Sequence, residues 1–200
     1  MANFFKDNAD LMFTLNNLEL AEVAKLKEEG YKFAQEFDNA PADFADALDN
    51  YNRVLEVVGE ICGDRIEPRS RTVDAEGPHF ADGVVTYHPL TVQNLNDLKQ
   101  AGVMGVMLDH KFGGLNFPVS VYTMMTEMVS RADGSLQNIF GLQDIAETIN
   151  FFGSDEQKEK YLPGFASGEY DGSMDLTEPD AGSDLQSVQL KATYCDKTKK

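Results

Sequence analysis

Apolar residues recur at three-and-four spacing through residues 42–66, where Phe44, Ala47, Leu48, Tyr51, Val54, Leu55, Val58, Ile61, Cys62 and Ile66 fall on one stripe. That period predicts a long amphipathic helix. Pro41 suits its first turn, and Pro68 is expected to end it. A weaker helix is predicted over 18–37, interrupted by Gly30. Residues 72–89 are rich in Gly, Pro and Asp around a short Val84-Val85-Thr86-Tyr87 run, which reads as a loop carrying a strand-like or hairpin excursion. Helix returns at Thr91, the expected N-cap, with Val92, Leu95, Leu98 and Ala101 on one face and Gly102 as the stop.

Residues 118–132 place Val121, Tyr122, Met124, Met125, Met128, Val129 and Ala132 at helical spacing, with the methionines read as soft core filler. Over 135–152, Leu136, Ile139, Phe140, Leu142, Ile145, Ala146 and Ile149 are dense enough to predict one helix buried on most sides. Ser154 and Gln157 give a capping-box signature for a short helix through Leu162, closed by Pro163-Gly164. Beyond Gly168 the pattern alternates: Val188, Leu190, Ala192 and Tyr194 on one side, Gln189, Lys191 and Thr193 on the other. This predicts a half-buried strand. A lone strand is not viable, so the rest of its sheet is expected from the remainder of the native protein or from another chain. The terminal Lys197-Thr198-Lys199-Lys200 reads as a turn or a tail. The fold expected is mainly α, followed by entry into a β-type unit.

Charge narrows the partners. Thirty-four acidic side chains against seventeen basic ones give a net charge of −17, which repels phosphodiester backbones and anionic lipid. Neither nucleic acid nor membrane is expected to bind. No apolar run approaches the roughly 18–20 residues that cross a bilayer. Residues 1–13 lack a signal-peptide core and are too acidic for a transit peptide, so a cytoplasmic location is expected. Cys62 and Cys195 lie far apart in no metal-type or redox-type pair, and each is expected to be a buried structural thiol. His79, His88 and His110 show no ligand spacing, so no metal site is expected.

The stretch with chemistry in it is Met174-Asp175-Leu176-Thr177-Glu178-Pro179-Asp180-Ala181-Gly182-Ser183-Asp184, at the junction of the helical and alternating parts. Pro179 stiffens a turn, Asp180 is placed to bond the N–H two residues on, and Gly182 lets the backbone approach a ligand. Successive N–H donors with the Ser183 hydroxyl suit a diphosphate. Thr177 both donates and accepts, which suits the edge of a heteroaromatic ring. Against this, Glu178, Asp180 and Asp184 repel a phosphate unless they point away, and an acidic Asp/Gly/Ser turn also serves as a plain connector.

Leu176-Thr177-Glu178-Pro179-Asp180-Ala181-Gly182-Ser183-Asp184, followed by Ser187, resembles the flavin-binding signature of the acyl-CoA dehydrogenases. Three further features stand in that family's order. They are Lys111-Phe112-Gly113-Gly114-Leu115; Glu127 with Ser130-Arg131-Ala132-Asp133; and Gly153-Ser154-Asp155-Glu156-Gln157-Lys158-Glu159-Lys160-Tyr161-Leu162-Pro163 with Ser167-Gly168-Glu169. The residues before Met104, with Glu76-Gly77-Pro78 and Asp82-Gly83-Val84-Val85, look like the extended N-terminus of a bacterial subgroup that includes 3-methylthiopropanoyl-CoA dehydrogenase-like enzymes.

The resemblance implies an N-terminal helical extension (1–40), an α-helical N-terminal domain (41–170) and the start of a β-barrel-like middle domain (171–200), with the C-terminal helical bundle absent. It implies FAD as cofactor, an acyl-CoA thioester as substrate, dehydrogenation to a trans-2-enoyl-CoA, an electron-transfer flavoprotein as acceptor, and a homo-oligomer. On it, Thr177 bonds the flavin ring, Gly182 and Ser183 the diphosphate, Met174 and Leu176 line the ring, and Ser183 also faces the acyl-CoA. Gln143, Ile145 and Thr148 are candidates for the border of an acyl channel or for a purely structural role. Two positions depart from the family pattern: Asp175, where a small residue is usual, and Met174, where an aromatic one is common. The family's catalytic glutamate is expected beyond Lys200, none of Glu127, Glu147, Glu169 or Glu178 matches its motif, and Arg131 reads as an ion-pair or helix-end residue. The chain alone is expected to be inactive. The competing reading is a non-catalytic helical partner or scaffold derived from such an enzyme.

Overall fold

A computed structural model describes residues 2–198, which fold mainly as α-helices. The chain opens with α1 (Ala9–Asn17) and α2 (Leu20–Lys27). Asn8 caps α1 by accepting from the N–H groups of Asp10 and Leu11. The single helix predicted over 18–37 is therefore broken. Leu18 is extended, α2 stops at Lys27, and beyond the left-handed Gly30 (φ 76°) only a 3₁₀ turn, Lys32–Gln35, remains. α1 buries only Leu11 and Leu15, too sparse a stripe to announce a helix.

α3 (Phe44–Ile61) starts at Asp43, whose side chain accepts from Asp46 N–H, and buries Ala47, Tyr51, Leu55, Val58 and Ile61 as the spacing predicts. Pro68 does not end the run. Cys62–Ile66 forms a π turn, and α4 (Glu67–Glu76) continues with Pro68 in its first turn. A regular helix drives a proline ring into the carbonyl four residues back, and the wider π turn relieves that clash. Arg65 and Arg69 then converge on Asp97 at 3.1 and 2.7 Å, and Arg69 also donates to Asn94 at 2.8 Å.

The predicted excursion is a hairpin, β1 (His79–Ala81) antiparallel to β2 (Val84–Thr86), with Phe80 opposite Val85. Asp82 and Gly83 both adopt positive φ, 52° and 78°, giving the two-residue turn whose twist suits paired strands. α5 (Pro89–Gln100) is capped by His88, not Thr91; the imidazole Nδ1 accepts from Leu90 N–H at 3.1 Å. Pro89 needs no N–H partner in a first turn, which moves the helix start forward and leaves Thr91 buried inside it. Gly102 (φ 71°) ends the helix as expected.

α6 (Val119–Ala132) buries Met124, Met125 and Met128, so the methionines do fill the core. Arg131 in its last turn lies over the Phe4 ring at 4.4 Å. One helix was expected over 135–152, but α7 (Gly134–Gly141) and α8 (Ile145–Phe152) are separated by a 3₁₀ turn, Leu142–Asp144. α8 buries only Ala146, and Phe151 and Phe152 are 69% and 86% exposed. Apolar density marks surface that could be buried, not the neighbour that buries it. α9 (Asp155–Ser167) carries the predicted capping box at Ser154 and Gln157 but runs through Pro163 to the left-handed Gly168 (φ 73°). Leu162, Gly164 and Phe165 are buried on either side of the proline and hold the helix together past its missing N–H.

The main core joins α3 to α6 and α7, and a smaller one gathers Leu108, Phe112, Ala146, Leu162 and Phe165. Residues 103–117 pass between them and are strapped to the N-terminal helices by polar bonds. Glu28, only 2% exposed, pairs with His110 Nε2 at 3.0 Å and accepts from Asn116 Nδ2 at 3.1 Å. Asn116 also donates to the Lys27 carbonyl at 2.9 Å, and Lys27 Nζ donates to the Met107 carbonyl at 3.1 Å.

The strand predicted over 188–194 is not formed: these residues are irregular and exposed, and the only sheet among the described residues is the hairpin. Alternation selects a face, but a ladder needs a partner. Cys62 is buried as expected, whereas Cys195 is exposed, because the irregular segment gives it no core to enter. Lys197 and Thr198 lie in a turn, and Lys199 and Lys200 fall outside the described residues.

Two outcomes check this architecture. His110→Ala leaves the buried Glu28 carboxyl with Asn116 as its remaining partner and is expected to cost about 1–3 kcal/mol, read as a fall in the urea midpoint. Burial pushes the Cys62 thiol up to about 12, while hydrogen bonding to Thr198 and Lys197 pulls Cys195 below its ordinary value. In the native chain at mildly alkaline pH an aromatic disulfide reagent should therefore titrate one thiol promptly, and the second only on unfolding.

Candidate functional site

The segment singled out in the sequence leaves α9 across two close approaches. A Cβ on Gly164 would sit 2.3 Å from the Tyr170 ring, and one on Gly172 would sit 2.3 Å from Ile145 Cγ2 and 2.4 Å from the Leu142 carbonyl. Both positions need glycine for the chain to lie against α8 and α9. Met174 then reaches a groove of about 320 Å³ lined by Tyr122, Gly141, Leu142 and Asp144. Tyr122 donates to the Gly141 carbonyl at 3.0 Å. Burial, with the Asp144 carboxylate nearby, raises the Tyr122 phenol above its ordinary value and keeps it a neutral donor.

Beyond Met174 the chain folds back on itself. Glu178 and Ala181 exchange two backbone hydrogen bonds, 2.8 and 3.2 Å, around Pro179-Asp180. Ala181 is the only buried residue past Gly168 among those described. Both Glu178 oxygens are taken, accepting from Gln189 and Leu190 N–H at 2.8 Å each. Asp184 accepts from Gln186 N–H at 3.1 Å and from the Ser187 hydroxyl at 2.5 Å. The bond expected from Asp180 to the N–H two residues on is not made; Asp184 makes the equivalent bond to Gln186 instead, where a 3₁₀ turn, Leu185–Ser187, presents its free N–H.

Thr177, Gly182 and Ser183 are exposed on this loop, and no hydrogen bond among the described residues engages the Thr177 hydroxyl, the Gly182 N–H or the Ser183 hydroxyl. A Cβ on Gly182 would have Thr177 Cγ2 as its neighbour at 3.8 Å, so these two residues are adjacent in space. Met174 and Leu176 are 54% and 42% exposed. The Thr177 and Ser183 hydroxyls and the Gly182 N–H are thus exposed and unbonded among the described residues, and two of the three nearby carboxylates, Glu178 and Asp184, accept hydrogen bonds from the same segment.

A second polar cluster lies on α8 and the turn before it. Gln143 and Glu147 line a cavity of about 10 Å³, the size of one water molecule, with Tyr122 and Met104 to Leu108. Gln143 Nε2 donates to the Phe140 carbonyl at 2.8 Å, while Gln143 Oε1 and Glu147 Oε1 are buried without a partner. Of the residues proposed from sequence to border a channel, only Gln143 lies here; Ile145 is half-buried and Thr148 is exposed on another face. Glu147, which does not match the motif of the family's base, lies four positions from Gln143, so both fall on one helical face. Burial raises the Glu147 carboxyl above 4.5, with Lys27 opposing and Asp109 adding to the shift.

The family model for the acyl-CoA dehydrogenase N-terminal domain matches residues 49–169. The chain belongs to the acyl-CoA dehydrogenase family. Among its relatives, the chain is 33% identical over 154 residues to 3-methylmercaptopropionyl-CoA dehydrogenase of Ruegeria pomeroyi, covering 74% of this chain and 26% of that protein. It is 29% identical over 147 residues to the mitochondrial isovaleryl-CoA dehydrogenase of Solanum tuberosum, covering 72% and 33%. The glutaryl-CoA dehydrogenase structure from Mycobacterium smegmatis superposes with a TM-score of 0.61 at 26% identity, over 73% of this chain and 35% of that one. The chain thus spans about a quarter to a third of the length of these relatives. Among its described residues no group of three or more His, Cys, Asp or Glu side chains could hold a metal ion, and no helix is long and apolar enough to cross a membrane.

The raised Glu147 carboxyl has a definite pH signature. A folded-state value above the unfolded one means that the native state holds the proton more tightly, so this contribution is full below the unfolded value and is lost as pH rises through the folded one. Relative to Glu147→Gln, the wild-type chain should lose stability over that rise in urea-denaturation series. The Asp144 carboxyl is also raised by burial and is present in both proteins, so the comparison reads Glu147 together with its coupling to Asp144. A difference that stays constant with pH would refute the burial of Glu147.

Proposed function

We propose that this chain builds one wall of the cofactor and thioester cleft of an FAD-dependent acyl-CoA dehydrogenase. In this reading residues 1–40 are a helical extension, 41–170 the α-helical N-terminal domain, and 171–200 the entry to a β-barrel-like middle domain. The observation that carries it is the fold of residues 177–184: a stretch resembling the family signature, whose Thr177 and Ser183 hydroxyls and Gly182 N–H are exposed and unbonded among the described residues while Glu178 and Asp184 accept from the segment's own donors. That arrangement fits an anionic ligand, because each of these two carboxylates is offset by hydrogen-bond donors and the exposed donors are unspent.

Thr177 would bond the edge of the flavin ring, Gly182 and Ser183 the diphosphate, and Met174 and Leu176 would pack beside the ring, with Ser183 also facing the acyl-CoA. Gly182 contributes by absence, since no Cβ stands between its backbone and the ligand. Bound there, FAD would supply the hydride acceptor for α,β-dehydrogenation of an acyl-CoA to a trans-2-enoyl-CoA, with electron-transfer flavoprotein as the onward acceptor. None of the carboxylates considered from sequence is assigned as the base: both Glu178 oxygens are spent within the loop, Glu127 and Glu169 are exposed, and Glu147 lies within the helical domain.

The test is flavin retention in the protein that carries the whole cleft. Thr177→Ala and Ser183→Ala should each lower FAD affinity about tenfold, read from flavin absorbance after gel filtration. Full FAD occupancy in both variants would sink the assignment of the loop.

A further inference from the structure

We infer that Glu178 is a positioning residue, a clasp whose carboxylate spans from the start of the loop to Gln189 and Leu190 and fixes the face on which Thr177, Gly182 and Ser183 are displayed. The inference rests on the flavin reading of that face and adds to it the device that shapes it.

The geometry is that of a closed ring. Glu178 Oε2 accepts from Gln189 N–H and Oε1 from Leu190 N–H, both at 2.8 Å, across a separation of 11 and 12 residues. No other side-chain hydrogen bond past Gly168, among the described residues, spans more than three positions. Without Glu178 the loop keeps only the small Glu178–Ala181 turn and the Asp184 cap, two local motifs with nothing fixing one against the other. Ala181 alone is buried here, so apolar packing does not supply the missing restraint. Hydrogen bonds to an ionised carboxylate are about twice as strong as neutral ones, which suits a single clasp on an exposed loop.

The clasp also answers the electrostatic objection to an anion on this loop. A carboxylate that accepts two N–H dipoles head-on has both oxygens committed and directed at the far arm of the ring. Glu178 therefore stabilises the loop with a charge that would otherwise oppose the ligand. Asp180 is the informative contrast, a carboxylate two positions away, exposed and without a hydrogen bond among the described residues.

The test compares Glu178→Gln with Asp180→Asn, which removes the same charge from the same loop but no hydrogen bond. In two-dimensional amide spectra of the chain, Glu178→Gln should move the resonances of Gln189, Leu190, Gly182 and Ser183 and leave those of α3 and α6 in place. Asp180→Asn should move only its neighbours. In the flavin-loaded protein Glu178→Gln should weaken FAD retention about tenfold with an unchanged melting temperature, and Asp180→Asn should not. Unmoved Gln189 and Leu190 amides in Glu178→Gln overturn the clasp. Moved amides with unchanged FAD retention, where Ser183→Ala does lower it, overturn the positioning role. Moved amides with retention indifferent to both variants uphold the clasp and defeat the flavin reading alone.

Discussion

A carboxylate at the centre of a protein with twice as many acidic as basic side chains sets the terms for the rest of the molecule. Glu28 is tolerated inside because His110 and Asn116 reach it from residues 103–117, the segment that threads between the two apolar clusters. That segment has little freedom left. A Cβ on Gly105 would sit 2.4 Å from Ala166 Cα, and one on Gly114 would sit 2.0 Å from the Leu108 carbonyl. The path therefore fixes α9 through Ala166, and α9 ends where the candidate loop begins. Phe33 and Phe37 close over the His110 ring at 5.9 and 5.7 Å, so the N-terminal helices belong to the same mechanical unit as the site they never touch.

The elements legible in the sequence were those whose signal is local and sustained. The α3 stripe, the α6 methionines, the Ser154–Gln157 capping box and the Asp82-Gly83 hairpin each depend on neighbours within a few residues. Where tertiary structure decides, the pattern misled. Pro68 and Pro163 read as stops, yet a π turn in one case and flanking buried side chains in the other carry the helix through. Residues 188–194 alternate cleanly but have no partner strand among the described residues.

The site was legible in composition but not in orientation. Sequence places Thr177, Gly182 and Ser183 together and raises the right objection, that three carboxylates surround them. Only the fold shows where those carboxylates point, because Glu178 finds its donors far along the chain. The Glu28 pair was hidden for the same reason. A buried acid looks in sequence like any surface acid until the residue that meets it is known.

The π turn between α3 and α4 has a meaning in register. Each helical residue advances the side-chain direction by about 100°, so one residue more or less at Cys62–Ile66 turns everything downstream by that angle. In the observed phase Arg65 and Arg69 close on Asp97 from one side, and Val73 is buried. A single-residue deletion in this turn would restore a regular helix and swing Arg69 off Asp97 and Asn94. It would also carry the hairpin, which follows α4 in sequence, to a different place on the surface. The turn is thus a one-residue spacer that sets the azimuth of the hairpin, the sort of device by which an insertion of minimal length relocates a surface element without altering the core beneath it.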